Sequence, residues 1–150
     1  MQVIRDTQPS VHVQDLGFSY GETEVLRDLT LSIGPREIFA IVGPNAAGKT
    51  TLLRCIQRIL KPTAGTVYVD GRDISALTVR SLGTFLASVP QSHTPVFPYT
   101  VRDVVLMGRN PYLDSFHEPG PDDVAAAEKA LEELSIQDLA DRPYTDLSGG

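Results

Sequence analysis

Apolar and polar residues alternate at the start of residues 11–20, Val-His-Val-Gln-Asp-Leu-Gly-Phe-Ser-Tyr, which predicts a strand. Gly21-Glu22-Thr23-Glu24 turns it, and Leu29-Thr30-Leu31-Ser32-Ile33 repeats the alternation, as in a strand with one wet face. After the turn Gly34-Pro35-Arg36 the pattern changes. Residues 38–42, Ile-Phe-Ala-Ile-Val, are continuously apolar, which predicts a strand buried on both faces, the habit of a parallel sheet. From Thr51 the spacing becomes helical. Leu52, Leu53, Ile56, Ile59 and Leu60 recur at three- and four-residue intervals, and Lys61-Pro62 ends the run. Thr66-Val67-Tyr68-Val69 reads as a short strand and Asp70-Gly71 as a hairpin turn. Phe85-Leu86-Ala87-Ser88-Val89 reads as another strand, a parallel neighbour of residues 37–42, and the proline-rich residues 95–98 suit a boundary or hinge.

Beyond Thr100 the pattern is helical. Thr100 is a suitable N-cap with Asp103 in the first turn, Val101, Val104, Val105 and Met107 are its apolar positions, and Gly108 closes it. Residues 110–120 are a long polar loop. Pro121-Asp122-Asp123 opens a second helix, with proline and acids where a helix start favours them. Ala125, Ala126, Ala130, Leu131 and Leu134 give it an apolar side, while Glu128, Glu132 and Glu133 form a solvated face. Residues 136–140 predict a short helical turn. The fold class is therefore α/β, with an antiparallel β layer beside a parallel core and a helical region after it. Residues 1–90 are expected to hold the first part and residues 91–150 the second.

Composition narrows the classes. At 150 residues with 41% hydrophobic content, one packed domain is the first expectation. A formal net charge of -6 argues against a nucleic-acid binder. Cys55 is the only cysteine, so no internal disulfide forms, and it is expected as a small buried hydrophobe. His12, His93 and His117 have no metal-ligand spacing. No stretch has the ~18 apolar residues of a membrane span, so work at a membrane would go through a partner.

The candidate chemistry lies between residues 42 and 52. Gly43-Pro44-Asn45-Ala46-Ala47-Gly48-Lys49-Thr50 fits G-x-x-x-x-G-K-[ST], preceded by an apolar run and followed by a helical one. Such a loop offers backbone N–H groups to phosphate oxygens, and the helix that follows adds its unpaired amides and positive dipole end. Lys49 reaches the β- and γ-phosphates as a point charge, and the Thr50 hydroxyl suits Mg²⁺. A small-molecule or nucleoside kinase would share this loop.

Four elements in order carry a resemblance: Tyr20 after the first strand, residues 43–51, Gln91 after Val89-Pro90, and Leu147-Ser148-Gly149-Gly150. With these the chain resembles the ATP-binding subunit of an ABC transporter. The resemblance implies a P-loop NTPase core with an antiparallel β subdomain and the start of a helical subdomain. It implies that Tyr20 stacks on adenine, that residues 43–51 (Thr51 included) hold the phosphates of ATP, and that Gln91 reaches Mg²⁺ and the attacking water and senses the membrane partner. Ser148, Gly149 and Gly150 would begin the signature that meets the γ-phosphate on a second subunit. The implied partners are ATP, a homodimer mate or paired ATP-binding subunit, and a transmembrane permease, at the cytoplasmic face of the membrane. A nucleotide-binding module of a non-transport ABC protein is the alternative.

The run Gly108-Arg109-Asn110-Pro111-Tyr112 resembles importers of iron–siderophore, haem or cobalamin. Two departures from the family pattern stand out. Ala46 replaces the usual glycine, and a left-handed conformation there would cost about 1 kcal/mol. The sequence also ends at the signature, so the Mg²⁺-binding aspartate, catalytic glutamate and switch histidine of the family have no counterpart in it. From this the expectation is an N-terminal fragment, prone to aggregate through bare apolar edges and without ATPase turnover.

Overall fold

The computed structural model describes residues 8–91, 97–114 and 117–147. It divides between Leu82 and Gly83 into two units.

The first unit is built on a four-stranded antiparallel sheet of order β2-β1-β3-β4, with β1 at Val11–Tyr20, β2 at Thr23–Ile33, β3 at Ala64–Val69 and β4 at Arg72–Asp73. β1 pairs with both β2 and β3, placing Val13 beside Leu31 and Val67. The alternation of β1 is broken by a bulge: between Val13 and Leu16 the register shifts, and Asp15 takes a φ of 49°. The Asp15 N–H donates to Thr30 Oγ1 (2.9 Å), and the Thr30 hydroxyl donates back to Asp15 Oδ1 (3.1 Å). The bulge resets the two-residue period, so Val13 on one side of it and Leu16 and Phe18 on the other are all buried. Gly65 lies across this bulge at φ 75°, its Cα so close to the Gln14 and Asp15 carbonyls that a Cβ would meet them at 2.3 Å. Helix α1, Lys49–Ile56, buries Thr51, Leu52, Cys55 and Ile56. It is shorter than its apolar spacing predicts. The chain leaves the helix at Gln57–Arg58, where Arg58 is left-handed (φ 58°) and its guanidinium donates to the Leu77 carbonyl. Ile59 accordingly lies outside the helix and exposed. Cys55 is buried, and burial raises its thiol pKa.

Two predicted strands do not form ladders. Residues 37–42 and 85–89 are outside every strand, and the described residues contain no parallel pair. Ile38 is 99% exposed, Val42 88% and Val89 97%. A continuous apolar run becomes a doubly buried strand only where neighbours cover its two faces and its ladder groups. A parallel neighbour must also arrive through a crossover. Neither run has a ladder neighbour among the described residues.

The second unit holds α2's last residue (α2 is Val79–Gly83), α3 at Val101–Met107 and α4 at Pro121–Glu133, with short 3-10 turns at Asn110–Tyr112, Gln137–Leu139 and Tyr144–Asp146. α3 is capped as its sequence predicts. The Asp103 N–H donates to Thr100 Oγ1 (3.1 Å), and the Thr100 N–H donates to Asp103 Oδ2 (3.0 Å). Val101, Leu131 and Ala140 form the core, with Val105, Ile136, Tyr144 and Leu147 packed on it. The buried side of α4 is Ala127 and Leu131, whereas Ala125 and Leu134 are exposed. The inward stripe is thus rotated from the predicted one, because alanines tolerate either side and only the single leucine at 131 is held by the core. Arg102 pairs with Glu128 of α4 and with Asp141 (3.3 Å), so Glu128 is a tether rather than a purely solvated acid.

Candidate functional site

The loop before α1 is bent by three residues of positive φ: Gly43 at 156°, Ala46 at 65° and Gly48 at 85°. All three values are ones that a residue with a Cβ rarely adopts. Ala47 N–H donates to the Pro44 carbonyl (3.4 Å), closing the turn, and Leu52 N–H donates to the Gly48 carbonyl (2.8 Å), starting the helix. Gly48 is fixed by space as well as by φ. A Cβ there would stand 2.8 Å from Leu26 Cδ2 and 3.2 Å from the Val25 carbonyl oxygen. Strand β2 thereby seats the helix start against the sheet, and only glycine fits the contact.

Gly48 gives the first amides of α1 no side-chain acceptor, and the first turn of the helix carries no acidic residue. These features leave the positive end of the helix open to an anion rather than neutralised from within. Lys49 Nζ donates to the carbonyls of Gly43 (2.8 Å) and Pro44 (2.5 Å), arching over the loop it would share with a phosphate. Thr50 is exposed, whereas Thr51 is buried beneath it. Pro44, Asn45, Ala46 and Ala47 are all exposed around the bend.

The other sequence-predicted residues have separate places. Tyr20 ends β1, 48% exposed, its ring edge-on to Phe18 with centroids 4.8 Å apart. It pairs with Thr23 on the hairpin that also carries Leu26, the residue facing Gly48. Its ring is therefore held from one side and free on the other, as stacking on a flat base requires. Gln91 belongs to the second unit and is exposed. Leu147 is packed against the core of that unit, while Ser148, Gly149 and Gly150 lie outside the described residues. The segment leading to them is anchored: Tyr144 N–H donates to the Tyr99 carbonyl (2.8 Å), and Val101 N–H to the Arg142 carbonyl (3.0 Å).

A cleft of about 600 Å³ in the first unit lies at the far end of α1, beside Cys55, Arg58, Lys61, Val67 and Asp73. Its chemistry is unrelated to the loop, which is open to solvent. Among the described residues, no group of three or more His, Cys, Asp or Glu side chains is placed to hold a metal. No described helix is long and apolar enough to cross a membrane.

Sequence reading passed over the Arg109 contacts. Arg109 Nε donates to Asp123 Oδ1 (2.9 Å), and its guanidinium lies 4.1 Å from the Tyr112 ring centroid. The Arg109 guanidinium beside Asp123, with the Gly120 N–H that Asp123 accepts, holds its carboxyl below the usual carboxylate range. The pairing of an arginine with an acid fourteen residues on, across a loop, has no periodic signal that would reveal it.

The sequence model of a family described as ABC transporter matches residues 26–150. The cobalamin import ATP-binding protein of Halobacterium salinarum is 39% identical over 142 residues, covering 94% of this chain and 35% of that protein. The iron(3+)-hydroxamate import ATP-binding protein of Bacillus subtilis is 33% identical over 141 residues, covering 94% of this chain and 52% of that protein. Among solved structures, a metal-chelate type ABC transporter in an inward-facing conformation superposes with a TM-score of 0.75 at 32% identity, covering 94% of this chain and 50% of that one. The chain thus spans between about a third and a half of the length of these relatives.

Proposed function

This chain belongs to the ABC transporter family, in its ATP-binding subunits, and from that premise we propose that it binds ATP with Mg²⁺ for an importer of a metal chelate such as iron–siderophore, haem or cobalamin. The observation that carries the reading is the loop at residues 43–49. Its left-handed bends present the start of an uncapped helix, with a lysine stretched across it. The polyanionic tail of ATP fits that arrangement, because amides, dipole and ammonium all favour negative charge at one point.

In this reading Lys49 leaves the Gly43 and Pro44 carbonyls for the β- and γ-phosphates. The exposed Thr50 hydroxyl and the Gln91 amide oxygen hold Mg²⁺, and Tyr20 stacks on adenine. Mg²⁺ supplies charge neutralisation at the phosphates when bound. Hydrolysis belongs to a dimer, or to a pair of ATP-binding subunits, in which Ser148, Gly149 and Gly150 of one copy meet the nucleotide of the other. A transmembrane permease holds the pair at the cytoplasmic face of the membrane. The Gly-Arg-Asn-Pro-Tyr run and the names of the two import relatives support the cargo class.

Titration of Mg²⁺-ATP against the chain and its Lys49→Ala variant tests the reading. Saturable binding weakened at least about tenfold by the substitution, ~1.4 kcal/mol, is expected. Equal affinity of the two would overturn it.

A further inference from the structure

In the run Gly108-Arg109-Asn110-Pro111-Tyr112, Arg109 and Pro111 are half-buried. Arg109 stands between the carboxylate of Asp123, at the start of α4, and the face of Tyr112. The Arg109 and Asp123 side chains are 29% and 15% exposed, so the ion pair is partly shielded from water. Asp123 is itself fixed by the Gly120 N–H (3.1 Å). Tyr112 then donates its hydroxyl to the Thr84 carbonyl (3.1 Å). Pro111 lies so close to Gly83 that a Cβ there would be 2.9 Å from the proline Cγ. A contiguous path runs from the α4 start through Asp123, Arg109 and Tyr112 to residues 83–84. Gly83 ends α2 and Thr84 opens a turn, from which the chain runs without regular structure to Gln91.

We propose that Arg109 and Tyr112 are positioning residues, a brace that holds the base of the Gln91 segment to the start of α4. The inference rests on the reading of Gln91 given above and adds the means by which that segment is held. The physical grounds are directional. A guanidinium that donates through Nε to a carboxylate and lies over the ring face restricts the rotation of Tyr112, so its hydroxyl stays aimed at Thr84. The run therefore acts inside the unit, through its own backbone, and needs no contact with transported cargo.

A nitroxide label at Ala87→Cys, three residues past Thr84, reads the brace directly. Cys55 is fully buried and stays unlabelled. A second label at Glu132→Cys, exposed on α4, is the control. Tyr112→Phe removes only the hydroxyl donated to Thr84, and Arg109→Ala removes the guanidinium. Both are expected to cost the label at 87 its immobilised spectral component while the label at 132 and the far-UV circular dichroism stay as they were. Arg109→Lys should restore it only in part, because an ammonium lacks the planar guanidinium that meets both Asp123 and the face of Tyr112. An unchanged spectrum at 87 in the well-folded Tyr112→Phe chain would overturn the proposal, as would equal loosening at 87 and 132. The nucleotide reading is checked apart, by the Lys49→Ala titration. Its failure would leave the contrast between the two labels intact, so the two are told apart.

Discussion

Lys49 Nζ and the Gly43 carbonyl oxygen are 2.8 Å apart, donor to acceptor, across the bend of the phosphate loop. The ammonium occupies its own loop, with a second bond to Pro44. In the proposed reading a triphosphate draws Lys49 from these two carbonyls, favoured because an anionic oxygen attracts the ammonium more strongly than a neutral one. Lys49→Ala therefore removes the ligand contact and also a tie that shapes the loop. Mg²⁺-ATP affinity should fall at least about tenfold, with little change in the global unfolding midpoint, since the tie is at the surface. Calorimetric titration and thermal unfolding on the same samples separate the two effects.

Ala46 has a φ of 65° in the loop as it stands. A Cβ in that left-handed conformation brings strain of about 1 kcal/mol, which glycine would not bear. Ala46→Gly should raise stability by a few tenths to about 1 kcal/mol, the gain being trimmed by the greater freedom of glycine in the unfolded chain. ATP affinity should change by less than about twofold. Denaturant unfolding with parallel ATP titration checks both. A large rise in affinity would mean that the loop adopts its left-handed bend only when it grips phosphate.

The Asp103 carboxylate accepts hydrogen bonds from the Thr100 hydroxyl and N–H, which hold its pKa below the ordinary ~3.9. Asp123 is lowered likewise, first by Arg109 and then by the Gly120 N–H. A carboxylate with a depressed folded pKa contributes stability that is fully present above its unfolded value. That stability is lost as pH falls through the folded one. The helical unit should hold its stability from neutral pH to near ~4 and lose it progressively below. Asp103→Asn should flatten part of that acid slope. Thr100→Ala should cost about 1 kcal/mol at neutral pH through loss of the cap. Unfolding midpoints across an acid series measure both.

Ile38, Val42 and Val89 are almost wholly exposed on segments without ladder partners. Unpaired backbone beside bare apolar side chains is a template for association. Ile38→Lys with Val89→Lys should lower the self-association of the chain while leaving its circular dichroism unchanged, since neither side chain belongs to a core. Sedimentation velocity over a concentration series reads this directly. Unchanged association of the double variant would place the sticky surface elsewhere.

The sequence by itself determined the local chemistry. The glycine-lysine-threonine loop, the Thr100–Asp103 capping box, the proline and acids opening α4, the β1 strand and the turn at Asp70-Gly71 are all legible, because each depends on residues within a few positions of one another and on fixed backbone preferences. Only the tertiary structure decided what depends on distant neighbours. It showed that Gly48 must be glycine because β2 brings Leu26 against it. It showed that Ile38, Val42 and Val89 stay exposed outside every strand, and that Arg109 pairs with Asp123 across a loop. Periodicity reports which face of an element is apolar. Whether another part of the chain arrives to meet that face is a question of topology, and no local pattern encodes it.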